Sequence, residues 1–134
     1  MYGDSDGLPG LVIDRFDSVL VVQANTVAMD LREAQLISVL LELIPGCSVL
    51  MRNDSRARSA EGLADEVRVA TGAVPDWVAL RENGCDFEAP LGTGQKTGWF
   101  YDHRVNRAQM AALAKGKRVL DVFSYLGGWG VQAA

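Results

Sequence analysis

The chain has 134 residues, enough for one compact domain or for a small domain with part of another. Apolar residues make up 49% and charged residues 22%, a balance that argues against a largely disordered chain. Thirteen Lys and Arg against seventeen Asp and Glu leave a net charge of −4, which speaks against a chain dominated by nucleic-acid contacts but leaves room for a local basic patch.

The N-terminal "MYGDSDGLPG" has neither a basic flank nor an apolar stretch, and no apolar run reaches the roughly eighteen residues of a membrane span. A cytoplasmic location is therefore expected. Leu11 to Phe16 and Val19 to Gln23 are β-rich and separated by Asp17-Ser18, which predicts two antiparallel strands after the turn signal Gly7-Leu8-Pro9-Gly10. From Val27 to Ile44 apolar residues recur at three- and four-residue steps, the spacing of one helix face, and Pro45-Gly46 ends the run. Ser48 to Met51 reads as a short buried strand leading into the polar loop "RNDSRARSAEG", followed by an unassigned segment to Gly72.

Trp77 to Leu80 and Phe87 to Leu91 flank "RENGCD", whose Asn83-Gly84 pair predicts a β-hairpin because both turn positions need positive φ. A helix is expected from Tyr101 to about Lys115, with Asp102 near its positive end and Gly116 as a stop. Val119 to Phe123 then form a near-continuous apolar run, as in a strand covered on both faces, and Gly127-Gly128 lead into a further helix. Such a strand needs parallel neighbours, and the crossover that would supply one is not in the sequence, so the chain is expected to be a fragment.

Cys47 and Cys85 form no C-x-x-C and His103 is the only histidine, so a zinc site built from Cys and His is not expected. Lys96-Thr97 in "GTGQKTG" resembles the end of a phosphate-binding loop, but Gln95 and Pro90 occupy positions where that motif needs glycine. In "VLDVFSYLGGWG" an apolar run ends near Asp121 and glycines open a helix. Either this is a tight turn alone, or it lets backbone N–H groups approach the negative portion of a ligand. Arg52, Arg56 and Arg58 make the one locally basic loop, which suits either RNA phosphates or solvent.

Taken together, "DSDGLPGLVIDRF", "RNDSRARSAEGL", "ENGCDFEAPLGTGQKTGWFYDHRVNR" and "VLDVFSYLGGWG" resemble the class I S-adenosylmethionine-dependent methyltransferases that act on cytosine of large-subunit ribosomal RNA. The resemblance implies an RNA-binding domain of the PUA type, a central α/β domain and a Rossmann-like methyltransferase domain. It places an α+β (α/β) central domain with antiparallel hairpins at residues 1–80. The hairpin and GQKTG connector take 81–100, and the start of a truncated Rossmann-like domain takes 101–134. It further implies that Gln95, Lys96 and Thr97 lie beside S-adenosylmethionine, that Asp102 and Arg104 shape its pocket, and that Phe123, Ser124, Tyr125, Gly127 and Gly128 surround its methionine end.

Lys96 or Arg104 could pair with the methionine carboxylate, and aromatic faces could meet the sulfonium. Asp102 and Arg104 are otherwise a helix-start charge and its solvated neighbour, and Trp99, Phe100 and Tyr101 suit core packing as well as ligand contact. Leu126 stands where the family has Thr, which removes a hydroxyl from the turn. The cysteine nucleophile that attacks cytosine and the acidic residue that grips the ribose are expected downstream, so no catalytic residue is assigned here. The expected cofactor is S-adenosylmethionine, bound weakly or not at all by this chain alone, which is expected to be inactive. The expected partners are ribosomal RNA and possibly a second copy of the chain. The alternative is a non-enzymatic module that binds RNA or a protein partner.

Overall fold

The computed structural model describes residues 1–134. A short helix α1 (Gly3–Asp6) precedes strands β1 (Leu11–Phe16) and β2 (Val19–Ala24), joined by a tight turn in which Asp17 has φ 53°. Helices α2 (Val27–Asp30) and α3 (Glu33–Leu43) lead to β3 (Ser48–Asn53), and α4 (Arg56–Ala60) leads to β4 (Glu66–Thr71). These strands form one sheet in the order β1-β2-β3-β4, with β2 and β3 parallel and the outer pairs antiparallel. A separate hairpin, β5 (Trp77–Glu82) and β6 (Cys85–Pro90), turns at Asn83 and Gly84, whose φ values are 51° and 88°. A 3-10 turn (Tyr101–His103), helix α5 (Arg104–Ala114) and helix α6 (Gly128–Ala133) complete the chain.

Strand alternation sends side chains to opposite faces of the sheet and so creates two cores. Leu11, Ile13, Leu20, Val22, Val49 and Met51 face α3, where Leu40 meets them. Phe16, Val19, Val21 and Leu50 face the hairpin and pack on Phe87, Ala89, Leu91 and Trp99. Each such large side chain fully removed from water stabilises by roughly 1.5–3 kcal/mol, so the second core fastens the hairpin and the connector after it to the sheet.

The periodic run from Val27 to Ile44 is two helices, not one. Thr26 caps α2 by accepting from the Met29 N–H, and tethers then hold both sides of the break. Asp30 pairs with Arg58 at 2.9 Å, while Glu33 accepts from Asn53 and Arg68. Leu31, between them, is 79% exposed, so the helical spacing there did not report a continuous buried face. The segment left unassigned before Gly72 supplies α4 and the edge strand β4.

Val119 to Phe123 is corrected. It forms no strand, and Leu120 and Phe123 are 86% and 97% exposed. A strand exists only with a hydrogen-bonded neighbour, and every strand of this chain pairs elsewhere. The expected helix from Tyr101 is present, but its first turn is 3-10 and its α-helical part begins at Arg104. No helix is long and apolar enough to cross a membrane.

Candidate functional site

The connector after the hairpin and the glycine turn near Gly127 are far apart in sequence, and one hydroxyl joins them. Tyr125 Oη accepts from the Gln95 N–H at 3.1 Å and donates to the Gly98 carbonyl at 3.0 Å. Tyr125 itself sits at φ 51° beside Phe123 at 61°, so the turn is wound through left-handed conformations before Gly127 at 75°. Gly94 makes the approach possible, since a Cβ there would stand 2.4 Å from the Pro90 carbonyl oxygen and 2.5 Å from the Tyr125 hydroxyl. Burial raises the Tyr125 phenol above its ordinary value, which keeps it protonated as a donor.

Beside this junction lies a cleft of about 130 Å³, lined on its aromatic side by Phe100, Tyr125 and Trp129. Phe100 stacks on His103 with centroids 5.4 Å apart and meets Tyr125 edge-on at 5.9 Å. Gly128 forms part of the wall, and a Cβ on it would stand 3.0 Å from Trp99. Asp121 holds the turn from below, accepting from the Gly130 N–H at 2.9 Å.

The aromatic walls are anchored through one buried ion pair. Glu82, at the tip of β5, accepts from Arg107 Nε at 2.7 Å, from the Trp99 indole N–H at 2.9 Å and from the Gln132 amide at 2.9 Å. Arg107 also donates to the Phe100 carbonyl and lies 4.6 Å over the Trp99 ring. Burial by itself would raise the Glu82 carboxyl, but these hydrogen bonds and the Arg107 charge prevail and hold it below 4.5. Neither Glu82 nor Arg107 stood out in the sequence. Arg107 lies one helical step from Arg104, and only the packing of α5 distinguishes the buried arginine from the exposed one.

The connector separates this cleft from a second one. Lys96, Thr97, Tyr101 and Asp102 face a cleft of about 640 Å³ against β1 and β2, opposite Asp14, Gln23 and Asn25, and Trp99 walls both. Lys96, at φ 52°, places its ammonium 3.0 Å from Asp102 and 4.8 Å over the Phe100 ring. Burial alone would raise the Asp102 carboxyl, but the Lys96 hydrogen bonds and charge hold it below its ordinary value. Thr97 is buried and donates to Asp14 at 2.5 Å. Burial, with Asp14 and Glu82 nearby, pushes the Tyr101 phenol up to about 12.

The ten residues expected around one cofactor are thus divided. Gln95, Phe123, Ser124, Tyr125 and Gly128 line the aromatic cleft, with Gly127 shaping the turn. Lys96, Thr97 and Asp102 belong to the sheet-side cleft, and Arg104 is exposed on α5 and lines neither. Asp14 and Gln23 carried a signal that sequence reading passed over, namely a polar residue inside an otherwise apolar strand on a face that packs inward.

The basic loop is not a surface cluster of three charges. Arg52 is 4% exposed and donates to the Leu91 and Gly94 carbonyls and to Asp54. Arg58, also 4% exposed, donates to the carbonyls of Ala24 and Ala64. Only Arg56 meets solvent. A guanidinium buried against carbonyls satisfies the backbone and cannot also neutralise a phosphate. Cys47 is buried in the first core and Cys85 is half-buried beside the second, and neither lines a cleft.

The aromatic cleft fits one end of a cofactor. Drug-sized ligands occupy roughly 300–1,000 Å³, so about 130 Å³ suits an amino-acid-sized portion rather than a whole nucleoside. Three ring faces and a glycine wall suit a sulfonium with an aliphatic chain.

A family model described as S-adenosylmethionine-dependent methyltransferase matches residues 46–134. Among curated relatives, "Ribosomal RNA large subunit methyltransferase I" of Tolumonas auensis is 42% identical over 132 residues, covering 97% of this chain and 33% of the relative. The protein of that name from Erwinia tasmaniensis is 39% identical over 132 residues, covering 98% and 33%. The chain spans about one third of the length of the curated relatives it matches. Its fold is that of a solved protein described as a SAM-dependent methyltransferase from Streptococcus mutans, with TM-score 0.82 and 22% identity over 99% of this chain and 34% of that one. A second solved methyltransferase, complexed with SAH, superposes with TM-score 0.80 and 23% identity over 99% of this chain and 33% of that one. With most of its length matched by the family model, the chain belongs to the S-adenosylmethionine-dependent methyltransferases.

Proposed function

We propose that this chain builds part of the cofactor and substrate site of an RNA methyltransferase that forms 5-methylcytosine in large-subunit ribosomal RNA. The observation that carries the reading is the Tyr125 bridge, which brings the GQKTG connector and the Gly127-Gly128 turn together around one aromatic cleft. The names of the curated relatives support ribosomal RNA as the substrate class. S-adenosylmethionine, when bound, supplies an electrophilic methyl group on its sulfonium.

The chain's own residues do the holding. Phe100, Tyr125 and Trp129 offer ring faces to the methionine end and exclude water from it. The glycine at 128 lets the turn come close to Trp99, and Tyr125 fixes the turn to the connector. Arg107 and Glu82 orient Trp99 and Phe100. No nucleophile is assigned, since neither thiol reaches the clefts.

The test is an NMR titration of the isotopically labelled chain with S-adenosylhomocysteine. Weak binding is expected, with the amides of Tyr125, Gly127 and Gly128 and the indoles of Trp99 and Trp129 shifting together. Resonances that stay fixed up to the solubility limit of the ligand would overturn the reading.

A further inference from the structure

The sheet face that carries the second core is apolar only at one end. Phe16, Val19, Val21 and Leu50 pack on the hairpin, whereas the other end presents Asp14, Gln23 and Arg52. Arg52 and one oxygen of Asp14 are engaged, by the connector carbonyls and by Thr97. Gln23 is not. It is 9% exposed, its side-chain amide has no hydrogen-bond partner in the protein, and no fully enclosed side-chain polar atom in the molecule lacks one. Its amide therefore opens on the cleft of about 640 Å³ that it lines. A buried amide without a protein partner costs stability unless a ligand or water satisfies it, so its placement there points outward to something bound.

The neighbouring groups define what that is. Asp14 keeps its second carboxylate oxygen free, since Thr97 takes only Oδ2. Asn25 accepts from Ser55 through its carbonyl oxygen, which leaves its NH₂ free to donate. The rings of Tyr2 and Tyr101 stand at the cleft walls. One free acceptor, two amide donors and aromatic walls suit a flat heterocycle read at its polar edge, the way unpaired bases are recognised.

We propose that this cleft receives an unpaired cytosine base of the RNA. Asp14 accepts from the exocyclic amino group, while the amides of Gln23 and Asn25 donate to the ring nitrogen and carbonyl oxygen. Uracil would turn a carbonyl oxygen toward the Asp14 carboxylate, which repels it. The base site rests on the methyltransferase reading above and extends it to named residues outside the cofactor cleft.

The test uses the labelled full chain and two short single-stranded oligoribonucleotides, one all uridine and one with a single central cytidine. The cytidine strand is expected to shift the side-chain amide resonances of Gln23 and Asn25 and to bind about tenfold more tightly than the all-uridine strand. Asp14→Asn should level that preference, and Gln23→Ala should weaken the cytidine strand. An unmoved Gln23 amide in the unmutated chain, or equal affinity for the two strands, would overturn the site. Adding S-adenosylhomocysteine to the same samples separates the two failures. Shifts at Gly127 and Gly128 with no response at Gln23 sink the base site alone, and the reverse pattern sinks the cofactor reading alone.

Discussion

Glu82 at the hairpin tip and Arg107 on α5 form an ion pair at 2.7 Å in which the two side chains are only 2% and 3% exposed. The pair joins two elements that share little other packing, and Gln132 extends it to α6 through both Glu82 and Asn83. Everything after the connector is therefore held to the hairpin by polar contacts, where the sheet is held by two apolar cores.

Removing one partner of a buried pair leaves the other charge uncompensated, which costs about 3–5 kcal/mol. Arg107→Ala should thus destabilise the chain strongly and release the Trp99 and Phe100 contacts first. Denaturant unfolding with tryptophan fluorescence measures both. A loss under about 1 kcal/mol would show that the pair does not fasten these elements.

The same carboxylate sets an acid limit. Its folded pKa lies below the reference value of 4.5, so the unfolded chain takes up the proton first as pH falls. Its contribution is complete above 4.5 and disappears as pH drops through the lower folded value. The melting temperature of the unmutated chain should fall in that acid range, and Glu82→Gln should lower the melting temperature at neutral pH while flattening the acid fall. Parallel melting curves for the two proteins across that range would contradict this assignment.

Residues 119 to 123 make a third prediction. Val119, Leu120, Val122 and Phe123 are all at least half exposed and lie in sequence together, an apolar stretch with unpaired backbone. We propose that the chain associates with itself through this segment at high concentration. Sedimentation should show dimers or larger species that Leu120→Lys with Phe123→Lys disperses. A monomer at all concentrations would remove the homodimer from the reading.

Several elements were legible because they are decided locally. The Asn83-Gly84 turn needs two positive φ values, and few residue pairs supply them, so the hairpin follows from the chain itself. The β1 and β2 pair follows from alternation and a short turn. The helix after Tyr101 was found nearly in place, since its period survives on one face. The Val119 to Phe123 strand failed for the opposite reason: its composition is right for a strand, but pairing is a property of neighbours.

What the sequence alone determined is where the turns, the helices and the two motifs lie, since backbone sterics and side-chain period act over a few residues. Only the tertiary structure decided which charges are buried and which cleft each motif residue faces. Arg52 and Arg58 read as surface until the carbonyls of other elements enclosed them, and Lys96 parted from Gln95 because a left-handed connector sends adjacent side chains to opposite sides. Burial and facing depend on what arrives from elsewhere in the chain, and no local pattern encodes that.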